Sequence, residues 1–107
     1  MATKCFVYVV RLVRPEAATD ATAAEEAVLE QHFAYLQRAL REGRLLLAGP
    51  CEDAAFGIVL FEASSEADAE AFMRGDPAVA QGVMRAELHA FRISLARDRL
   101  RQAPSAG

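Results

Sequence analysis

"QHFAYLQRALREGRLLLAGP", residues 31–50, places a helix, a glycine and a strand side by side. Phe33, Leu36 and Leu40, with Leu29 just upstream, repeat every three or four residues and form one apolar helical face. Glu30, Gln37, Arg38 and Arg41 fall elsewhere on the wheel. Gly43 can take the left-handed conformation that ends such a helix. The apolar run "RLLLAGPC" (44–51) then reads as a strand closed by Gly49-Pro50. One residue breaks the pattern. With Leu36 as origin, Leu29, Phe33 and Leu40 lie within roughly 60° on one side, and His32 lies about 40° to the other.

Upstream, "CFVYVVRLV" (5–13) is rich in β-branched and aromatic residues and predicts a buried strand. "RPEAATDATAAEE" reads as a connection. Thr22 and Glu25 carry the spacing of a capping box, so the helix starts near residue 23. Downstream, "FGIVLFEA" (56–63) is a third strand, joined to the second by a few residues that suit a hairpin. Ser65 and Asp68 repeat the capping-box spacing and start a second helix that runs to about Arg74. "GDPAVAQG" (75–82) stops it and has room for one further turn. "MRAELHAFRISL" (84–95) alternates apolar and polar residues and predicts a fourth strand.

The order is β-α-β-β-α-β, the split βαβ arrangement of an α+β fold with one antiparallel sheet and both helices on one face. Phe6, Tyr8 and Val10 occupy one face of the first strand, Val7 and Val9 the other. A second apolar sheet face in so small a chain calls for a cover, and the same face of another copy would supply it in a two-fold homodimer. Residues 1–95 form the expected domain. The polar, proline-containing residues 96–107 read as an extension that frays towards its end.

Composition narrows the function. The chain of 107 residues is 53% hydrophobic and 25% charged, in the range of one globular domain. A net charge of −3 offers no basic footprint for nucleic acid or an anionic membrane. The N-terminal apolar run is too short for a membrane span and lacks the marks of a signal peptide. Cys5 and Cys51 have no paired spacing, fall in strands, and read as small buried hydrophobes in a cytoplasmic protein.

His32 has two readings from the residues alone. It is a core histidine bonded to a backbone carbonyl, which is ordinary for this residue type, or the working group of a site. The second reading needs a partner to fix its tautomer. Asp76 is the candidate, although Asp-Pro is also a good start for a helix, with Asp76 as cap and Pro77 in the first turn. On spacing alone that capping role is the simpler one. Tyr35, one turn from His32, either shares its surroundings or is an ordinary helix-flank tyrosine, and Gly49-Pro50 reads as a turn or, from its place beside the helix end, as the lip of a cleft. His32 and His89 make a poor metal set, His89 reading as a partly exposed strand residue. No GxSxG, HExxH or phosphate-cradling glycine loop is present.

Taken together, "HFAYLQRALREGRLLLAGP", "FGIVLFEASSEADAEAF" and "DPAVAQGV" resemble the YciI-like (YCII-related) family over roughly residues 5 to 95. The resemblance implies a ferredoxin-like α+β fold that pairs into a dimeric α/β barrel. It also implies a histidine–aspartate pair in a cleft, which falls on His32 and Asp76. The stretch "RPEAATDATAAEE", the short hairpin "EDAA" and Ala90 depart from the family pattern. Such a pair suits general acid/base work, with Asp76 orienting the ring and His32 moving a proton. Without a strong nucleophile or metal set beside it, lyase, dehydrohalogenase or isomerase chemistry on a small organic molecule fits better than covalent hydrolysis. Lyase-type chemistry is ascribed to members of this family. Tyr8, Tyr35, Gly49 and Pro50 are the expected substrate-binding residues, and no cofactor is expected. The alternative is a non-catalytic dimer that binds a small ligand or serves a larger enzyme.

Overall fold

The computed structural model describes residues 3–97. Four strands, β1 (Lys4–Leu12), β2 (Leu45–Pro50), β3 (Gly57–Ala63) and β4 (Met84–Ala90), alternate with α1 (Ala23–Arg41), α2 (Glu66–Gly75) and the single turn α3 (Pro77–Ala80). The strands form one antiparallel sheet in the order β2-β3-β1-β4. This is the ferredoxin-like topology.

Each boundary has a local cause. Thr22 accepts from the Glu25 amide while the Glu25 carboxylate accepts from the Thr22 amide, so the first capping box is complete. At the other end of α1, Gly43 takes φ +83° and the Arg44 amide bonds back to the Ala39 carbonyl. The second box is only half built. Ser65 accepts from the Asp68 amide, but the Asp68 carboxylate takes the Ser64 hydroxyl instead of returning to the cap. The connection after β1 contains a short 3-10 turn, Pro15–Ala18.

Three expectations need correction. The fourth strand ends at Ala90, not Leu95, since its pairing with β1 goes no further. Ala90 lies opposite Phe6, and the Phe91 amide makes a last bond to the Cys5 carbonyl. The core face of α1 is also rotated. Val28, Leu36 and Ala39 are buried, while Phe33 and Leu40 are 63% and 56% exposed. On the wheel the packed set centres roughly 50° from Leu36 on the His32 side. His32 therefore does not interrupt the core stripe at its edge but lies within it. Cys5 lies in β1 and Cys51 just beyond β2, and both free thiols are half-buried instead of buried. Of the expected 96–107 extension, Ala96 and Arg97 have no regular structure and the rest lies outside the described residues.

The core sits between the sheet and the helices. Phe6, Tyr8 and Val10 from β1 and Val59 and Phe61 from β3 meet Leu36, Ala39, Ala69 and Phe72. An aromatic cluster anchors it. The Phe61 and Phe72 rings are 4.6 Å apart, Tyr8 meets Phe61 edge-on at 5.7 Å, and Tyr35 stacks on Phe72 at 5.2 Å. The opposite sheet face carries Val7 and Val9 beside Ile58 and Leu60 across the β1–β3 ladder. No helix among the described residues is long and apolar enough to cross a membrane.

Candidate active site

Asp76 stands at the junction of α2 and α3, where Pro77 forces the chain out of helical geometry. Its side chain is wholly buried, with 0% exposure. A buried carboxylate needs partners, and Asp76 has three. Oδ1 accepts from the Ala78 amide at 3.0 Å, which caps α3. Oδ2 accepts from the Tyr8 hydroxyl at 2.7 Å. The His32 Nδ1 lies 2.7 Å from Oδ1 and 2.8 Å from Oδ2. The two roles weighed against each other from sequence, cap and histidine partner, are held by one side chain at once.

The geometry fixes the histidine. A carboxylate only accepts, so the Nδ1 hydrogen points at Asp76 and Nε2 is left as the ring's second nitrogen. His32 comes from the middle of α1, and its ring forms part of the wall of a cleft of about 660 Å³. That cleft runs between α1 and the ends of β1, β2 and β3. Leu29, Phe33, Leu36 and Leu40 supply the helix side, and the backbone and side chains of 45–50 supply the sheet side.

The four residues expected to bind substrate separate into two groups. Gly49 and Pro50 do line the cleft, at its β2 lip. Tyr8 and Tyr35 do not line it. Tyr8 is fully buried behind Asp76. Burial first, and then the adjacent carboxylate, push its hydroxyl far above the ordinary tyrosine range. Tyr35 donates to the Phe72 carbonyl at 2.7 Å and packs against the end of α2. Burial and Asp76 also raise its hydroxyl, with Arg44 acting the other way. Gly75 makes room for it, since a Cβ there would stand 2.8 Å from the Tyr35 hydroxyl oxygen. Tyr35 thus holds the helix end from which Asp76 projects.

Sequence reading missed most of the cleft. β2 carries one extra residue between Leu45 and Leu47 relative to β3, and Leu45, Leu46 and Leu47 all reach the cleft. A strict alternation would have sent Leu46 to the other face. Phe56, at the start of the hairpin's return, closes the far side, with the Arg11 guanidinium 5.6 Å from its ring centre. Only the apolarity of "RLLLA" hinted at this wall. His89 is exposed and bonded to Glu87 at 2.9 Å, away from the cleft. Among the described residues no three His, Cys, Asp or Glu side chains gather as a metal set.

Topology and site together define a class: a small ferredoxin-like α+β domain with a histidine–carboxylate pair at the wall of an apolar cleft. The YCII-related domain matches residues 7–91, and the chain belongs to that family. Among solved structures it is similar to the 5-chloro-2-hydroxyhydroquinone dehydrochlorinase of Burkholderia phenoliruptrix AC1100, solved in complex with 2,5-dihydroxybenzoquinone. The two share 18% identity with a TM-score of 0.60 over 81% of this chain and 93% of the other, a likeness of fold. No curated protein matches the chain.

Proposed function

We propose that the protein is a small enzyme in which His32 acts as general base and acid on an organic substrate, in lyase, dehydrohalogenase or isomerase chemistry. The observation that carries this reading is the Asp76–His32 contact at the wall of the cleft, in which Nδ1 lies within hydrogen-bond distance of both carboxylate oxygens. Nε2 would take a proton from a carbon or oxygen acid, and Asp76 would stabilise the imidazolium so formed. In an elimination, the electron pair of the broken C–H bond becomes the new double bond and the leaving group departs with its own pair. In an isomerisation, the imidazolium returns the proton to a different atom. Tyr8 is a positioning residue: its bond fixes one carboxylate oxygen while the Ala78 amide fixes the other. Gly49 and Pro50 serve as substrate-binding residues at the cleft lip, and Tyr35 acts only through the end of α2. The dehydrochlorinase that shares this fold supports the reaction class.

The same reading includes a cytoplasmic homodimer built on the open sheet face. Val7, Val9, Ile58 and Leu60 would meet their counterparts there. Sedimentation of the wild type at twice the chain mass, and of Val9→Glu at the single mass, is the expected result. A monomeric wild type overturns it.

Proton exchange tests the chemistry without a known product. Small carbon acids incubated with the protein in D₂O should exchange hydrogen for deuterium, as followed by ¹H NMR. His32→Ala should lose at least about a hundredfold of that rate, the usual scale of one general base. Exchange that survives undiminished in His32→Ala removes the histidine from the chemistry. Saturable binding with no exchange in the wild type would instead favour a non-catalytic binding module. The complete internal bonding of the site, with no buried side-chain polar atom left unpartnered among the described residues, is the observation on that side.

A further inference from the structure

The wall of the cleft has an unusual charge inventory. Of the described side chains that line it, only His32 and Gln37 are polar, and none is an aspartate, glutamate, lysine or arginine. Clefts that accept phosphates or carboxylates present a guanidinium, an ammonium or a row of backbone amides at a helix start. Among the described residues none of these lines the cleft, and the Arg11 guanidinium sits over the Phe56 ring, 5.6 Å from its centre. An anion seated beside His32 would also lie near the Asp76 carboxylate, which already holds Nδ1. A net charge of −3 adds no attraction from a distance.

The rim points the same way. Phe33, Leu40 and Phe56 are 63%, 56% and 37% exposed, and all three line this one cleft from different elements. Large apolar side chains held against water around a shared opening are covered when an apolar molecule enters. The cleft volume, about 660 Å³, lies in the range of pockets for molecules of drug size or smaller.

From these features we infer that the cleft selects an uncharged, largely apolar compound of one- or two-ring size that carries a hydroxyl or carbonyl group, and rejects phosphorylated and carboxylated compounds. This deepens the proposed function by naming its substrate class. The neutral polar group meets His32 Nε2 or the Gln37 amide, and the rest of the molecule packs on the leucines of α1 and β2.

Paired neutral and anionic probes of matched shape test it: 2-naphthol against 2-naphthoate, and phenol against benzoate, titrated into the full chain at pH 7.5. Binding is read from ¹H–¹⁵N shifts. The neutral member of each pair should bind at least tenfold more tightly and move the amides of residues 45–49. Phe33→Ser should weaken 2-naphthol severalfold. The inference is overturned if the carboxylates bind as well, if the shifts map away from residues 45–49, or if neither neutral probe saturates. The same titration on His32→Leu separates this inference from the acid/base reading. Preference for the neutral probes is set by the lining and should persist in that variant. Loss of deuterium exchange with the preference intact would bear on the dyad alone, and loss of the preference with exchange intact would bear on the substrate class alone.

Discussion

Tyr8 and Asp76, separated by 68 positions in the chain, meet through a 2.7 Å hydrogen bond at the floor of the candidate site. The contact joins the central strand β1 to the α2–α3 junction, and His32 joins both to α1. Three parts of the fold therefore converge on one carboxylate. Replacing that carboxylate tests geometry and charge separately.

Asp76→Ala should cost about 3 kcal/mol in urea unfolding, because it strands the Tyr8 hydroxyl and the Ala78 amide and releases His32. Asp76→Asn keeps an oxygen for capping and should cost about half as much. Proton exchange should fall in both variants. A loss of exchange in Asp76→Asn with near-native stability would separate the chemical role from the structural one.

The two tyrosines set an alkaline limit. Both hydroxyls are raised above the ordinary value near 10, so the native state keeps protons that the unfolded chain gives up there. Stability from this source is full below about pH 10 and declines as the pH rises beyond it. Tyrosinate absorbance at 295 nm should lag that of free tyrosine in the folded protein and reach full strength only with the loss of far-UV circular dichroism. Tyr8→Phe should soften the alkaline loss. A tyrosinate signal at full strength near pH 10 in the folded protein would contradict the burial of these groups.

Gly75→Ala should change sign with its neighbour. In a helix this substitution normally gains close to 1 kcal/mol. Here the new Cβ would stand 2.8 Å from a hydroxyl anchored to the Phe72 carbonyl, and the wild-type background should lose about 1–3 kcal/mol. In a Tyr35→Phe background the obstructing oxygen is gone and the substitution should be neutral or stabilising. A double-mutant cycle by thermal unfolding measures the difference directly.

The rotated face of α1 gives a fourth test. Leu36→Ala should cost about 2–5 kcal/mol as a core truncation. Phe33→Ser, about a sixth of a turn from Leu36 around the helix axis but exposed in the fold, should stay within about 0.5 kcal/mol. Equal costs for the two would mean that Phe33 is covered in solution.

Element order was legible because strands and helices announce themselves through periodicity and caps. Thr22, Gly43 and the Asp76-Pro77 pair marked boundaries that the backbone obeys. The phase of α1 was not legible, since apolar residues that line a cleft and apolar residues that fill a core follow the same spacing. Phe33 and Leu40 belong to the first kind, Val28 and Ala39 to the second. The end of β4 is set by where its pairing with β1 stops, at Phe6 opposite Ala90, and the alternation in "FRISL" does not reveal it. His32 and Asp76 lie 44 residues apart, and no spacing rule predicts their contact. The family resemblance pointed to the pair, and the packing of α1 against α3 brings it together.

The extra residue in β2 has a consequence beyond the cleft. β2 is an edge strand, and a long flat edge rich in leucine is a template on which further chains can add and grow into insoluble aggregates. The irregularity at Leu46 interrupts the even row of outward amides and carbonyls, and Pro50 at the strand's end has no amide to offer. The same extra residue that gives Leu46 to the cleft thus breaks the even ladder that a further strand would need along "RLLLA".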